Sequence, residues 1–166
     1  MICGGSMKKK IRVITLVLTV CVLFSGITMI ASADGSEWGG KTSSLIEAIE
    51  SEDFWYNLLK GTYLQSGNSK ISAPGGYYVK ISGGTDAYQT CDAVLATIYL
   101  DRYVNGAWDE IDSAVFTATN TYTVNGYERI PVLPGYYYRA RGYHTVRKGS
   151  TTETCYTLSD GIWIGP

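Results

Sequence analysis

The spacing of its turn signals constrains this chain most. Beyond Gly61 the sequence breaks into short runs rich in Tyr, Thr, Val and Ile, each bounded by residues that favour left-handed or turning backbone. Pro74-Gly75-Gly76 and Gly83-Gly84 bracket Tyr77–Ser82. Val94, Ala96, Ile98 and Leu100 alternate with Leu95, Thr97, Tyr99 and Asp101, and Asn105-Gly106 then supplies the two positive-φ positions of a tight hairpin. Trp108 to Thr119 forms the return strand, and a second pair, Asn125-Gly126, separates Thr121–Val124 from Tyr127–Val132. Pro134-Gly135 leads into Tyr136–Val146, Lys148-Gly149 leads into Thr151–Leu158, and Ile162–Ile164 is a last short strand. No segment long enough for a crossover helix lies between these runs, which excludes a βαβ architecture. The expectation is an all-β, antiparallel β-sandwich of seven or eight strands over 61–166.

The first 33 residues stand apart. Lys8, Lys9, Lys10 and Arg12 precede an uncharged run from Val13 to Ala31, which ends in the small-x-small pattern Ala31-Ser32-Ala33. This reads as a signal peptide cleaved after Ala33, with an uncleaved membrane anchor as the alternative for a run of that length. Met7, directly before the lysines, is an alternative start. On either reading the body is exported through the Sec pathway, secreted or held at the outer cell surface, and it meets a membrane only through an uncleaved leader. Cleavage removes four basic residues and no acidic one, leaving 10 basic against 15 acidic residues. That balance excludes generic nucleic-acid binding, which needs a basic surface. Charge is also segregated. Asp34–Leu59 holds six acids and one lysine, whereas Arg129–Lys148 holds five basic residues and no acid.

Cys3 and Cys21 belong to the leader, so an exported body keeps Cys91 and Cys155, expected to form one disulfide. In the acidic segment 34–60, Ser44-Leu45-Ile46-Glu47 has capping-box form, and Leu45, Ile49, Phe54, Trp55, Leu58 and Leu59 recur at roughly helical spacing. A short N-terminal helical segment is expected there.

Two resemblances add to this reading. Val132-Leu133-Pro134-Gly135-Tyr136-Tyr137-Tyr138 resembles the fibronectin-type-III sandwich, an immunoglobulin-like architecture. There an apolar residue, Pro-Gly and a tyrosine three residues on open an alternating strand, and Tyr138 falls at the corner position whose hydroxyl ties back to nearby backbone. More widely, the order Tyr63-Leu64, Gly67, Ser69, Ile71, Ile81-Ser82-Gly83, Asn105-Gly106-x-Trp108, Gly135-Tyr136-Tyr137-Tyr138-Arg139, His144, Gly149–Glu153 and Gly161-Ile162 is similar to a family of small exported proteins of clostridia and other Firmicutes with no established function. That resemblance implies a secreted single-domain β protein and assigns no catalytic residue.

The candidate chemistry is sparse. His144 is the only histidine; it lacks a nucleophile with an orienting carboxylate, and Ser150 lies beyond a turn. We read it as a buried hydrogen-bonding residue. Zinc lacks ligands, and Asp109, Glu110 and Asp112 read as a solvated strand start rather than a calcium site. No cofactor is implied. The distinctive surface is on Tyr136–Arg147. Alternation there places Tyr136, Tyr138 and Ala140 inside and Tyr137, Arg139, Arg141, Tyr143 and Arg147 outside, as a stripe of aromatics and guanidiniums. Such a stripe suits an anionic cell-wall polymer, a glycan or an acidic protein segment, including the chain's own 34–59. The expected function is a non-enzymatic binding or adhesion module. A small bacteriocin-like or toxin-like effector is the alternative.

Overall fold

The computed structural model describes residues 41–58 and 62–166. The leader with its cleavage site, Met7, and the tail 34–40 lie outside the described residues. Eight strands follow one another: β1 (Leu45–Ile46), β2 (Glu50–Tyr56), β3 (Leu64–Ser72), β4 (Tyr78–Val104), β5 (Ala107–Pro131), β6 (Tyr136–Lys148), β7 (Thr151–Leu158) and β8 (Gly161–Ile164). The protein is all-β, and the strands form one curled mixed sheet in the order β1-β8-β6-β4-β3-β2, with β5 on β4 and β7 on β6.

The long hairpin of β4 and β5 organises this sheet. Asn105 and Gly106 carry φ of 52° and 87° and close it as expected, with Val104 opposite Ala107. Both strands then run on past the points where turns were expected. Gly83-Gly84 and Asn125-Gly126 are not turns: Gly83 faces Gly126 and Gly84 faces Asn125 in unbroken register. The reason is steric. A Cβ on Gly83 would lie 2.4 Å from Ile98 Cδ1 and 2.5 Å from the Asn68 carbonyl, and one on Gly126 would lie 2.2 Å from Phe116 Cδ1. These glycines admit side chains from elsewhere on the same hairpin, the close-approach use of glycine within a strand.

The bend that brings those side chains over falls elsewhere. Register shifts between Asp86 and Cys91, and Asn120 takes a left-handed φ of 52°. Before the bend β4 pairs with β3; after it, with β6. The inward residues of both portions meet in one core: Ile71 of β3, Ile81, Ile98 and Leu100 of β4, Tyr138 and Ala140 of β6, and Ile162 of β8.

The N-terminal segment is a correction. Residues 45–46 and 50–56 are strands, not helix. Apolar spacing there fits both periods, and Phe54-Trp55-Tyr56 favours the pleated state once a partner edge exists. β3 offers that edge in seven register pairs, from Glu50↔Ser72 to Tyr56↔Ser66. A helix of that length would lack comparable support. Ser44, expected to cap a helix, instead carries the lead into β1: its carbonyl accepts from Gly161 N at 2.6 Å. β1 runs parallel to β8, so the sheet is not purely antiparallel. Among the described residues, the paired acids of this segment find partners away from the arginine stripe. Glu50 pairs with Lys70 at 2.9 Å, and Asp53 accepts from Leu158 N at 2.8 Å and from Lys41.

Cys91 and Cys155 are both free thiols. They are buried in one apolar cluster with Leu64, Ala87, Val94 and Val146, where they pack as small hydrophobic side chains. Burial pushes the Cys155 thiol up to about 12 and raises that of Cys91.

Candidate functional site: the outer face of strand β6

Strand β6 alternates as expected. Tyr138, Ala140, Gly142, His144 and Val146 are buried, and Tyr137, Arg139, Arg141, Tyr143 and Arg147 point the other way. The neighbours that register places beside them complete the face: Tyr99 of β4 opposite Arg141, Tyr156 of β7 opposite Tyr143, and Trp163 of β8 opposite Tyr137. The result is a ladder of ring contacts. Tyr143 and Tyr156 have centroids 5.3 Å apart, the Arg141 guanidinium lies 4.9 Å from the Tyr99 ring centre, and Arg139 lies 4.3 Å from that of Trp108. Tyr137 and Trp163 close the ladder at 4.9 Å. Such pairs rigidify one another beyond simple area burial.

The arginines are not a bare cationic stripe. Asp101, 1% exposed, lies between them; its Oδ2 accepts from Arg139 Nε at 2.9 Å and from Arg141 Nε at 2.6 Å. Arg141 Nη2 also donates to Glu110 at 2.9 Å. Glu110, read from sequence as part of a solvated acidic group, is therefore the arginine's partner. Burial lowers the pKa of Arg139 despite Asp101. At Arg141 burial also acts downward, but Asp101 and Glu110 together outweigh it. Two positive charges face two negative ones, so the centre of the face is neutral. Only Arg147, exposed at the far end beside Thr152, retains the character expected of the stripe.

His144 lies beneath this face. Its Nδ1 is 3.0 Å from Thr85 Oγ1, whose own proton goes to the Leu95 carbonyl at 2.7 Å, so Nδ1 is the donor. Its Nε2 is 2.8 Å from Thr157 Oγ1, which lies 2.8 Å from Ser69 Oγ. Burial drives its pKa down to about 4, leaving a neutral imidazole. A Cβ on Gly67 or Gly142 would lie 2.4 Å from the ring, so these glycines make its slot. The histidine is a packed polar core group with hydroxyl partners on both nitrogens.

At its Tyr137–Trp163 end the face meets an open cleft of about 340 Å³, lined by Ala73, Gly75, Gly76, Tyr77, Tyr78 and the residues from Trp163 onward. Sequence reasoning missed Trp163, Tyr156, Tyr99 and Tyr78. Alternation within Gly161–Ile164 would have turned Trp163 away from Ile162 and Ile164. Which β6 residue it meets depends on register, which no local pattern encodes.

The profile of a family of unknown function, DUF6147, matches residues 41–161, and the chain belongs to that family. No curated protein matches it.

Proposed function

We propose that this DUF6147 member is an exported, non-enzymatic binding module that holds a neutral polysaccharide on the aromatic outer face of β6. The basic residues, apolar run and Ala31-Ser32-Ala33 of the leader support export, as does the likeness to clostridial secreted proteins. The facing halves of the curled sheet support reading it as a sandwich of the immunoglobulin or fibronectin kind, joined along the β4–β5 hairpin. His144, buried and bonded to two threonines, supports a role without catalysis.

One observation carries the choice of ligand: Arg139 and Arg141 are already neutralised by Asp101 and Glu110 while the rings beside them remain partly exposed. An anionic polymer gains little from a face whose central charges cancel. A sugar ring gains from rigid aromatic faces, whose negative π surface meets its polarised C–H bonds. Pull-down of the purified protein on insoluble cell-wall polysaccharide tests this, with a Tyr143→Ala/Tyr156→Ala variant beside it. Retention of the parent and loss in the variant is the expected result. Equal retention of both removes the face from the account.

A further inference from the structure

We infer that the cleft between the Ala73–Tyr78 turn and the chain from Trp163 onward is a subsite for a single uncharged pyranose ring, a reading that rests on the proposed polysaccharide binding. Its lining is distinctive. Trp163 and Tyr77 are 41% and 50% exposed, Tyr78 stands beside them, and the remaining walls are Ala73, Gly75, Gly76, Ile164, Gly165 and Pro166. Rings offer stacking surfaces. Glycines leave main-chain N–H and C=O groups within reach of a ligand rich in hydroxyls. No charged side chain is among the lining residues, and the nearest guanidinium given, Arg129, is stacked 4.4 Å from the Tyr78 ring centre, so the lining offers a sugar rings and main-chain groups. The volume sits at the small end of the ~300–1,000 Å³ range of small-molecule sites, as a ring-sized ligand requires.

The cleft is held in shape from behind. Gly75, Gly76 and Tyr77 take φ of 96°, 67° and 58°; the last is a costly conformation for a tyrosine, of the kind that persists where the surroundings enforce it. Here the enforcing element is the Val132–Gly135 connection. Val132 N donates to the Tyr77 carbonyl at 2.9 Å on one wall, and Gly135 N donates to the Ile164 carbonyl at 2.7 Å on the other. The buried Tyr138 hydroxyl donates to Leu133 O at 2.7 Å and pins the same connection from the core. Tyr138 is thus a positioning residue. The Pro-Gly-x-x-Tyr run that suggested an architecture in the sequence also braces both walls of the cleft.

Titration of the purified protein with cellotriose and with chitotriose, followed by tryptophan fluorescence and calorimetry, tests this. A uronic-acid trimer and a proline- and tyrosine-rich peptide serve as contrasting ligands. Saturable binding of a neutral trimer, weakened roughly tenfold in Trp163→Ala, restored in part by Trp163→Phe, and unchanged in Tyr122→Ala, an exposed residue of β5 outside both the face and the cleft, is expected. Tyr138→Phe, with its circular dichroism unchanged, should weaken binding several-fold. Full affinity in Trp163→Ala, or preference for the charged trimer or the peptide, overturns the subsite. If the parent is retained on polysaccharide while neither neutral trimer binds, the subsite falls and the module reading stands. If the parent is neither retained nor titrated, both fall.

Discussion

Asp101 shows why a single residue can invert the meaning of a motif. From sequence, Arg139 and Arg141 look like a recognition element; in the fold they surround a buried carboxylate. Their joint replacement by alanine would strand that charge. We expect Arg139→Ala/Arg141→Ala to lose about 3–5 kcal/mol of stability in urea denaturation, the usual cost of breaking a buried ion pair by removing one side. A loss under 1 kcal/mol would mean that Asp101 is solvated. His144 makes the second prediction. The unfolded chain takes up its proton near pH 6.5, the folded chain only near 4. Above pH 6.5 neither form is protonated, and the contribution is complete. Between 6.5 and 4 only the unfolded chain gains the proton, so stability falls by about 3 kcal/mol across that window. Urea titrations should show this slope in the parent and not in His144→Gln.

At the scale of elements, the glycines of the bent hairpin decide its path. Gly126→Ala sets a Cβ against the Phe116 ring. It should destabilise by about 1–3 kcal/mol, less so in a Phe116→Ala background, where the space is open. Additive losses would show that the two do not touch. The same residues explain how far the sequence could be read. Strand periodicity and the Asn105-Gly106, Pro134-Gly135 and Lys148-Gly149 turns are local features, legible because φ preference and alternation act over a few residues. Gly83-Gly84 and Asn125-Gly126 carry the same local signal for a non-local reason. At Gly83 and Gly126, what demands glycine is a side chain arriving from beyond the bend, Ile98 and Phe116 respectively. The Leu45–Tyr56 segment failed for a related cause, since its choice between helix and strand is made by the edge of β3. On β6, parity fixed which residues face outward. The neutralising partners, Asp101 and Glu110, come through pairing registers that parity does not contain.

For the whole molecule, the buried thiols and the neutral face make separate claims. Cys91 and Cys155 should resist iodoacetamide in the native protein and react in denaturant without added reductant, as free, buried, high-pKa groups do. A requirement for reductant, read by mass spectrometry, would establish a bridge between them. On the proposed reading the outer face of β6 presents rings, its central charges cancelled, to an uncharged polymer. Salt dependence separates that from electrostatic capture, because attraction between exposed charges fades as the Debye length shrinks, from about 10 Å at 0.1 M to about 3 Å at 1 M. The direct measurement is retention of the purified protein on cell-wall polysaccharide across that range of salt. Retention that holds from 0.1 M to 1 M and disappears in Tyr143→Ala/Tyr156→Ala is expected. Retention that collapses with salt and survives loss of the two tyrosines would contradict that reading.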